Sequence, residues 1–165
     1  MALLHIYDSS DWTIRETAWA RGGANEHAVP NVNALVTVLD SLVAAHSQFD
    51  RILFETHGSP GIIGFGHQGI NATWLLAVVP HQWANLTTPG ARVYFNGCNV
   101  AEGPVGWRFL EAAAAVFLAV GGGEVFGQTS VGIMNPFNGH VVHLWGSTRR
   151  LYVARGGRIT SRVEQ

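Results

Sequence analysis

The sequence predicts an α/β sandwich: a mostly parallel sheet covered by helices, with a C-terminal antiparallel extension. Three observations carry this. Short apolar runs at 51–56, 92–96 and 124–128 are separated by stretches with helical spacing, the alternation that builds parallel sheets. After residue 128 come three more β-type runs with no helix between them, the last two separated by Gly156-Gly157, a tight-hairpin signal. The chain has 165 residues, 47% apolar and only 13% charged, which suits one domain, 1–165, with a well-covered core.

The elements follow in order. Residues 3–7 read as a first strand. Residues 8–30 are polar, contain Gly22-Gly23, and are expected to form a long irregular loop. Asn31 or Asn33 can cap a helix whose apolar face is Ala34, Leu35, Val38, Leu39, Leu42 and Val43. The strand 51–56 follows, then the turn Gly58-Ser-Pro-Gly61 and a small hairpin near 62–70. Asn71 can cap a second helix that is interrupted near Pro80. The strand 92–96 is next. Pro104 opens a third helix, apolar nearly all round, that stops at Gly121-Gly-Gly123. A fourth strand spans 124–128, and antiparallel strands are expected at 141–145, 151–154 and 158–161.

Composition excludes several chemistries. All ten basic residues are arginine, so a Schiff-base lysine, a Walker A lysine and a Ser-Lys dyad are ruled out. A single cysteine rules out an intramolecular disulfide. The formal net charge of -1 gives no broad attraction to nucleic acid or to anionic membrane. No apolar stretch is long enough to span a bilayer and the N-terminus has no basic signal region, so a soluble, cytoplasmic protein is expected.

Two triplets carry the functional reading. Thr56-His57-Gly58 and Asn96-Gly97-Cys98 each close a short apolar strand. A thiol and an imidazole at the C-terminal ends of strands in such a sheet suggest a cysteine nucleophile, Cys98, with His57 as its base. Free cysteine has a pKa of about 8.5, so a neighbouring imidazole would raise the thiolate fraction at neutral pH. Gly58 permits close approach to the backbone, and the N–H groups of Gly58 and Cys98 are candidate oxyanion donors. The plain alternative is an inert buried thiol, the commoner fate of a lone cysteine.

The surrounding residues resemble a known group. Phe54-Glu-Thr-His-Gly-Ser-Pro-Gly61 and Val93-Tyr-Phe-Asn-Gly-Cys-Asn-Val-Ala-Glu-Gly103 look like the His-Gly and Gly-Cys motifs of caspase-like (clan CD) cysteine peptidases. That clan includes caspases, gingipains, clostripain, separase and CHAT domains. The chain is similar in particular to a bacterial caspase-like domain of unknown function that carries Ser-His-Gly-Ser-x-Gly and Tyr-Gly-Cys-Asn-Val-Ala-x-Gly. The resemblance covers about residues 35–130. It implies a caspase-like three-layer sandwich, His57 as general base, Cys98 as nucleophile, and a protein or peptide substrate. It also makes Asp8 and Asp11, just after the first strand, candidate specificity acids.

The sequence departs from that pattern. Glu55 stands where the group has an apolar residue. Two positions from His57 on one strand face, it is a candidate for orienting the imidazole, against the plainer reading of a strand residue paired to an arginine. No Asp or Glu lies between Glu55 and Glu102, so a dyad is expected instead of a triad. The extra segments with which large clan members build substrate pockets are missing. The expectation is a cysteine endopeptidase acting through an acyl-enzyme. The alternative is a non-catalytic caspase-like module for protein interaction.

Other signals weigh less. Gly64-Phe-Gly-His-Gln-Gly69 matches a dinucleotide fingerprint literally but lacks the acidic residue about 20 positions on, so no nucleotide cofactor is expected. His140 and His143 would point to opposite faces of a strand, so no metal is expected. Trp12 and Trp19, in the first loop, could form an aromatic wall for a substrate.

Overall fold

The structure, a computed structural model, describes residues 2–21, 23–134, 141–143 and 145–165. Its centre is a seven-stranded mixed sheet. The parallel strands are β1 (Leu3–Asp8), β2 (Glu26–Val29), β3 (Phe49–Glu55), β7 (Thr87–Asn96) and β8 (Gly123–Gln128). Two antiparallel strands, β11 (Thr148–Val153) and β12 (Ile159–Glu164), extend it beyond β8. Across the sheet the order is β2-β1-β3-β7-β8-β11-β12. The mostly parallel sheet with its antiparallel extension is as expected.

Alternation of side chains divides the sheet into two unlike faces. On one, Leu4, Ile52, Val93, Val125 and Leu151 stand in register across five strands, all wholly buried. Phe54 and Phe95 stack beside them at 5.0 Å, and Phe109 meets Phe95 edge-on at 4.9 Å. This face is covered by α2 (Val32–Ala44), α4 (Gly103–Phe117) and the short α3 (Ala72–Ala77), which packs on α4. Phe109, Leu110, Ala113 and Phe117 of α4 are all buried, as expected for a helix apolar nearly all round. The opposite face carries His5, Glu55 and Asn96, and α1 (Trp12–Arg21) lies over it, its Arg21 reaching Glu55 at 3.1 Å. The chain runs from β1 outward to β2 and then back past β1 to β3. Right-handed crossovers therefore put α1 and α2 on opposite faces.

Local signals read from the sequence are mostly realised. Asn31 caps α2 by accepting from the Ala34 N–H at 2.9 Å, and Asn71 caps α3 by accepting from Trp74 at 3.0 Å. The segment after His57 is a three-stranded antiparallel sheet, β4 (His57–Ser59), β5 (Ile62–Phe65) and β6 (Gln68–Asn71), larger than the expected hairpin. Gly156 and Gly157 turn the β11–β12 hairpin, both with positive φ. The literal fingerprint at 64–69 falls in the β5–β6 hairpin. The strand expected at 141–145 is found as β10 (Val141–His143), which pairs with β9 (Gly132–Met134); residue 144 lies outside the described residues.

One expectation fails. Residues 8–30 are not an irregular loop: they hold α1 and β2, and β2 pairs in parallel with β1 at the sheet edge. The apolar pattern hides both. Among the α1 residues only Thr17 and Ala18 are buried, while Trp12 and Trp19 face outward, and β2 is a four-residue edge strand with one buried side chain. No helix of the described residues is long and apolar enough to cross a membrane.

Candidate functional site

The strand order creates the site. In chain order the parallel strands lie 2-1-3-4-5 in space, so the order reverses between β1 and β3. Open α/β sheets bind ligands outside the C-terminal ends of their strands at such a reversal. Asp8 ends β1 and Asp11 opens α1 just beyond it; Glu55 ends β3 and His57 follows; Asn96 ends β7 and Cys98 follows. Glu55 and Asn96 are paired in the ladder, so the His57 and Cys98 segments leave the sheet side by side.

Two glycines let those segments touch. A Cβ on Gly58 would lie 2.6 Å from the Cys98 carbonyl oxygen and 3.0 Å from the Cys98 nitrogen. A Cβ on Gly97 would lie 3.2 Å from the Gly58 Cα. Three residues further along, the Gly61 N–H donates to the Val100 carbonyl at 3.0 Å. The two candidate oxyanion donors thus belong to backbones in contact.

The Cys98 segment is a tight turn fastened to the end of β8. Asn99 donates its N–H to the Ser130 carbonyl at 3.0 Å, and Ala101 donates to Gln128 at 2.9 Å. Asn99 holds φ at +55°, a left-handed conformation that asparagine tolerates better than most residues. Gly106, in the first turn of α4, leaves no room for a side chain against Ala101, where a Cβ would come within 2.2 Å of the carbonyl. Cys98 is half-buried, and its sulfur accepts from the Gly132 N–H at 3.4 Å. Among the described residues no hydrogen bond joins that sulfur to the His57 ring.

His57 has an exposed side chain, and its Nε2 lies 3.3 Å from Oδ2 of Asp11. Asp11 is the N-cap of α1: its Oδ1 accepts from the Thr13 N–H at 2.8 Å, the Ile14 N–H at 3.3 Å and the Thr13 hydroxyl. The Thr13 hydroxyl is the largest influence lowering the carboxyl pKa from 3.8 to about 2, with the Ile14 N–H, His57 and the Thr13 N–H adding to it against some burial. Asp11 is therefore a carboxylate throughout the neutral range. With Nε2 facing it, Nδ1 is the ring nitrogen left for proton exchange.

The other two acids stand elsewhere. Glu55 does not reach His57. Strand β3 ends at Glu55, the chain turns at Thr56, and the shared face expected from alternation is lost. Its carboxylate, 1% exposed, lies 2.8 Å from His5 Nε2 and 3.1 Å from Arg21, and accepts from Asn96 at 3.4 Å. Asp8 is also buried. It accepts from the Ser10 N–H at 2.9 Å and from the Gly66 N–H at 3.2 Å, so both oxygens bind backbone. The carboxylate beside the imidazole comes from far upstream, outside the interval 55–102 in which a third member was sought.

Among the described residues no group of three or more His, Cys, Asp or Glu side chains is placed to hold a metal ion. The His140–His143 pair lies outside the described side chains.

The fold and site define an α/β protein with an imidazole–carboxylate pair and a cysteine turn meeting at the C-terminal edge of a parallel sheet. The chain belongs to the family described as domain of unknown function DUF4347, whose model matches residues 18–120 and so includes His57, Gly58 and Cys98. No curated protein and no solved structure matches it.

Proposed function

We propose that this protein is a caspase-like cysteine endopeptidase in which Cys98 attacks a peptide carbonyl and His57 carries the proton. The observation that supports this most is the contact of the His57-Gly58 and Gly97-Cys98 backbones beyond the C-terminal ends of β3 and β7, next to the reversal point of the sheet. Such contact needs glycine at 58 and leaves little room for a larger residue at 97, and it sets a base and a nucleophile on adjoining supports.

In this reading His57 Nδ1 takes the Cys98 thiol proton while Asp11 holds Nε2 and stabilises the imidazolium. The sulfur bonds to the carbonyl carbon, and the Gly58 and Cys98 N–H groups stabilise the oxyanion. Collapse breaks the C–N bond, and His57 returns its proton to the departing amine. Water, deprotonated by His57, then releases the acyl group as a carboxylic acid and restores the thiol. The catalytic group is a Cys98–His57 dyad with Asp11 as its positioning carboxylate.

A second reading, a non-catalytic interaction module with the same fold, draws on the bond from Gly132 to the Cys98 sulfur, which satisfies the thiol without the imidazole. Alkylation separates the two. The peptidase reading expects Cys98 to react with iodoacetamide well below pH 8 and to lose that reactivity in His57→Ala. A positional peptide library, with Cys98→Ala as control, then reads cleavage. A thiol that reacts no faster than free cysteine, unchanged by His57→Ala, favours the module.

A further inference from the structure

Resting on the peptidase reading, we infer that the concavity beside Cys98 selects an uncharged, apolar side chain of the substrate, next to the attacked carbonyl. This concavity, of about 440 Å³, is lined by Asn99, Thr129, Ser130, Val131, Ile133 and Trp145.

Its place ties it to the nucleophile. One wall is Asn99, the residue after Cys98. The segment leaving β8, which donates the Gly132 N–H to the Cys98 sulfur and accepts the Asn99 N–H at Ser130, lines it beside Asn99. Gly132 lies between Val131 and Ile133. In an extended chain its two neighbours project to the same side. The backbone between them thus holds the sulfur while both apolar side chains line the concavity.

Three neutral polar and three apolar residues line it. None of the six lining residues carries a formal charge. Val131 and Ile133 are each just over half exposed and Trp145 is 93% exposed, so three large apolar side chains lie open around one hollow. A carboxylate or guanidinium placed there meets no opposite charge among the described lining residues. A leucine or phenylalanine side chain would instead cover apolar surface already exposed. Full burial of such a side chain corresponds to a preference of about tenfold or more.

Two measurements test this. In the first, Cys98→Ala protein is titrated by calorimetry with acetylated dipeptide amides that differ only in carrying Phe, Asp or Arg at the C-terminal residue. Phe is expected to bind about tenfold tighter than Asp or Arg, and Ile133→Arg, in the same background, is expected to shift the preference to Asp. Equal binding, tighter binding of Asp or Arg, or no binding of any of the three overturns the inference.

In the second, wild-type protein is alkylated by the matching peptidyl chloromethyl ketones, with iodoacetamide, which has no side chain to recognise, as reference. Faster labelling by the Phe reagent is expected. His57-dependent iodoacetamide labelling combined with a preference for Asp or Arg overturns the pocket and leaves the peptidase reading standing. A Phe preference in the calorimetry with an unreactive thiol keeps the pocket and removes the peptidase reading.

Discussion

Nε2 of His57 lies 3.3 Å from the Asp11 carboxylate, and the same carboxylate caps the first helix. One side chain thereby joins the start of α1 to the imidazole just beyond the end of β3, across the reversal point of the sheet. The two jobs can be separated, because asparagine caps a helix about as well as aspartate but carries no charge.

Asp11→Asn is therefore expected to keep the cap while losing only the stability the carboxylate's charge adds, and to lower the rate of Cys98 alkylation at pH 7 several-fold, since the imidazolium loses its counter-charge. Asp11→Ala is expected to lose the cap as well, at about 1 kcal/mol. Urea denaturation and alkylation kinetics on the two variants read the two effects apart. Equal rates in wild type and Asp11→Asn would remove Asp11 from the site.

The same carboxylate makes stability depend on acid. Its pKa is depressed in the folded protein, from 3.8 to about 2, chiefly by the Thr13 hydroxyl. A depressed carboxylate stabilises the fold above its unfolded pKa, and that stabilisation fades as pH falls through the folded value. Wild type is expected to lose stability relative to Asp11→Asn between about pH 4 and pH 2. Parallel melting curves across that interval check the sign; a gap that widens in wild type's favour on acidification contradicts it.

Gly58 is expected to tolerate no side chain. In Gly58→Ala the new Cβ would sit 2.6 Å from the Cys98 carbonyl oxygen, so the two segments must part. Overpacking of this kind costs about 1–3 kcal/mol. Gly64→Ala is the matched control, since its Cβ would meet nothing closer than the His57 carbonyl at 3.8 Å. The expected result is a destabilised protein with a slow thiol for the first and a near-native protein for the second. Both are read by denaturation and alkylation.

Glu55 and Asp8 are expected to matter for folding and not for substrate choice. Glu55→Gln removes the buried carboxylate between His5 and Arg21. Breaking a fully buried pair costs about 3–5 kcal/mol, and with Arg21 one-quarter exposed about 2–3 kcal/mol is expected. Asp8→Ala leaves the Ser10 and Gly66 N–H groups without their acceptor, at about 1–3 kcal/mol. A changed cleavage or labelling preference in Asp8→Asn, with stability retained, would restore Asp8 as a specificity acid.

How much of this was legible in the sequence follows from what each residue contacts. The strand ends at His57 and Cys98 were legible because each strand carries a short apolar stretch, Ile52-Leu-Phe54 and Val93-Tyr-Phe95, with a glycine soon after it. The caps at Asn31 and Asn71 were legible because capping is local. Helix α1 was not, because it buries little and displays Trp12 and Trp19. Without that helix Asp11 reads as a loop residue, and its pairing with a histidine 46 positions away in the chain has no local signature; the one available sign was an aspartate two residues before Thr13, which fits a helix start. The face of Glu55 was misread because strand alternation stops at Thr56.

The pH dependence of Cys98 alkylation, compared between wild type and His57→Ala, tests the account most directly. A thiol paired with an imidazole is expected to react with iodoacetamide several-fold faster at neutral and mildly acidic pH than the same thiol in His57→Ala, which reacts no faster than a free thiol. Coincident pH–rate profiles in the two proteins would contradict a Cys98–His57 pair.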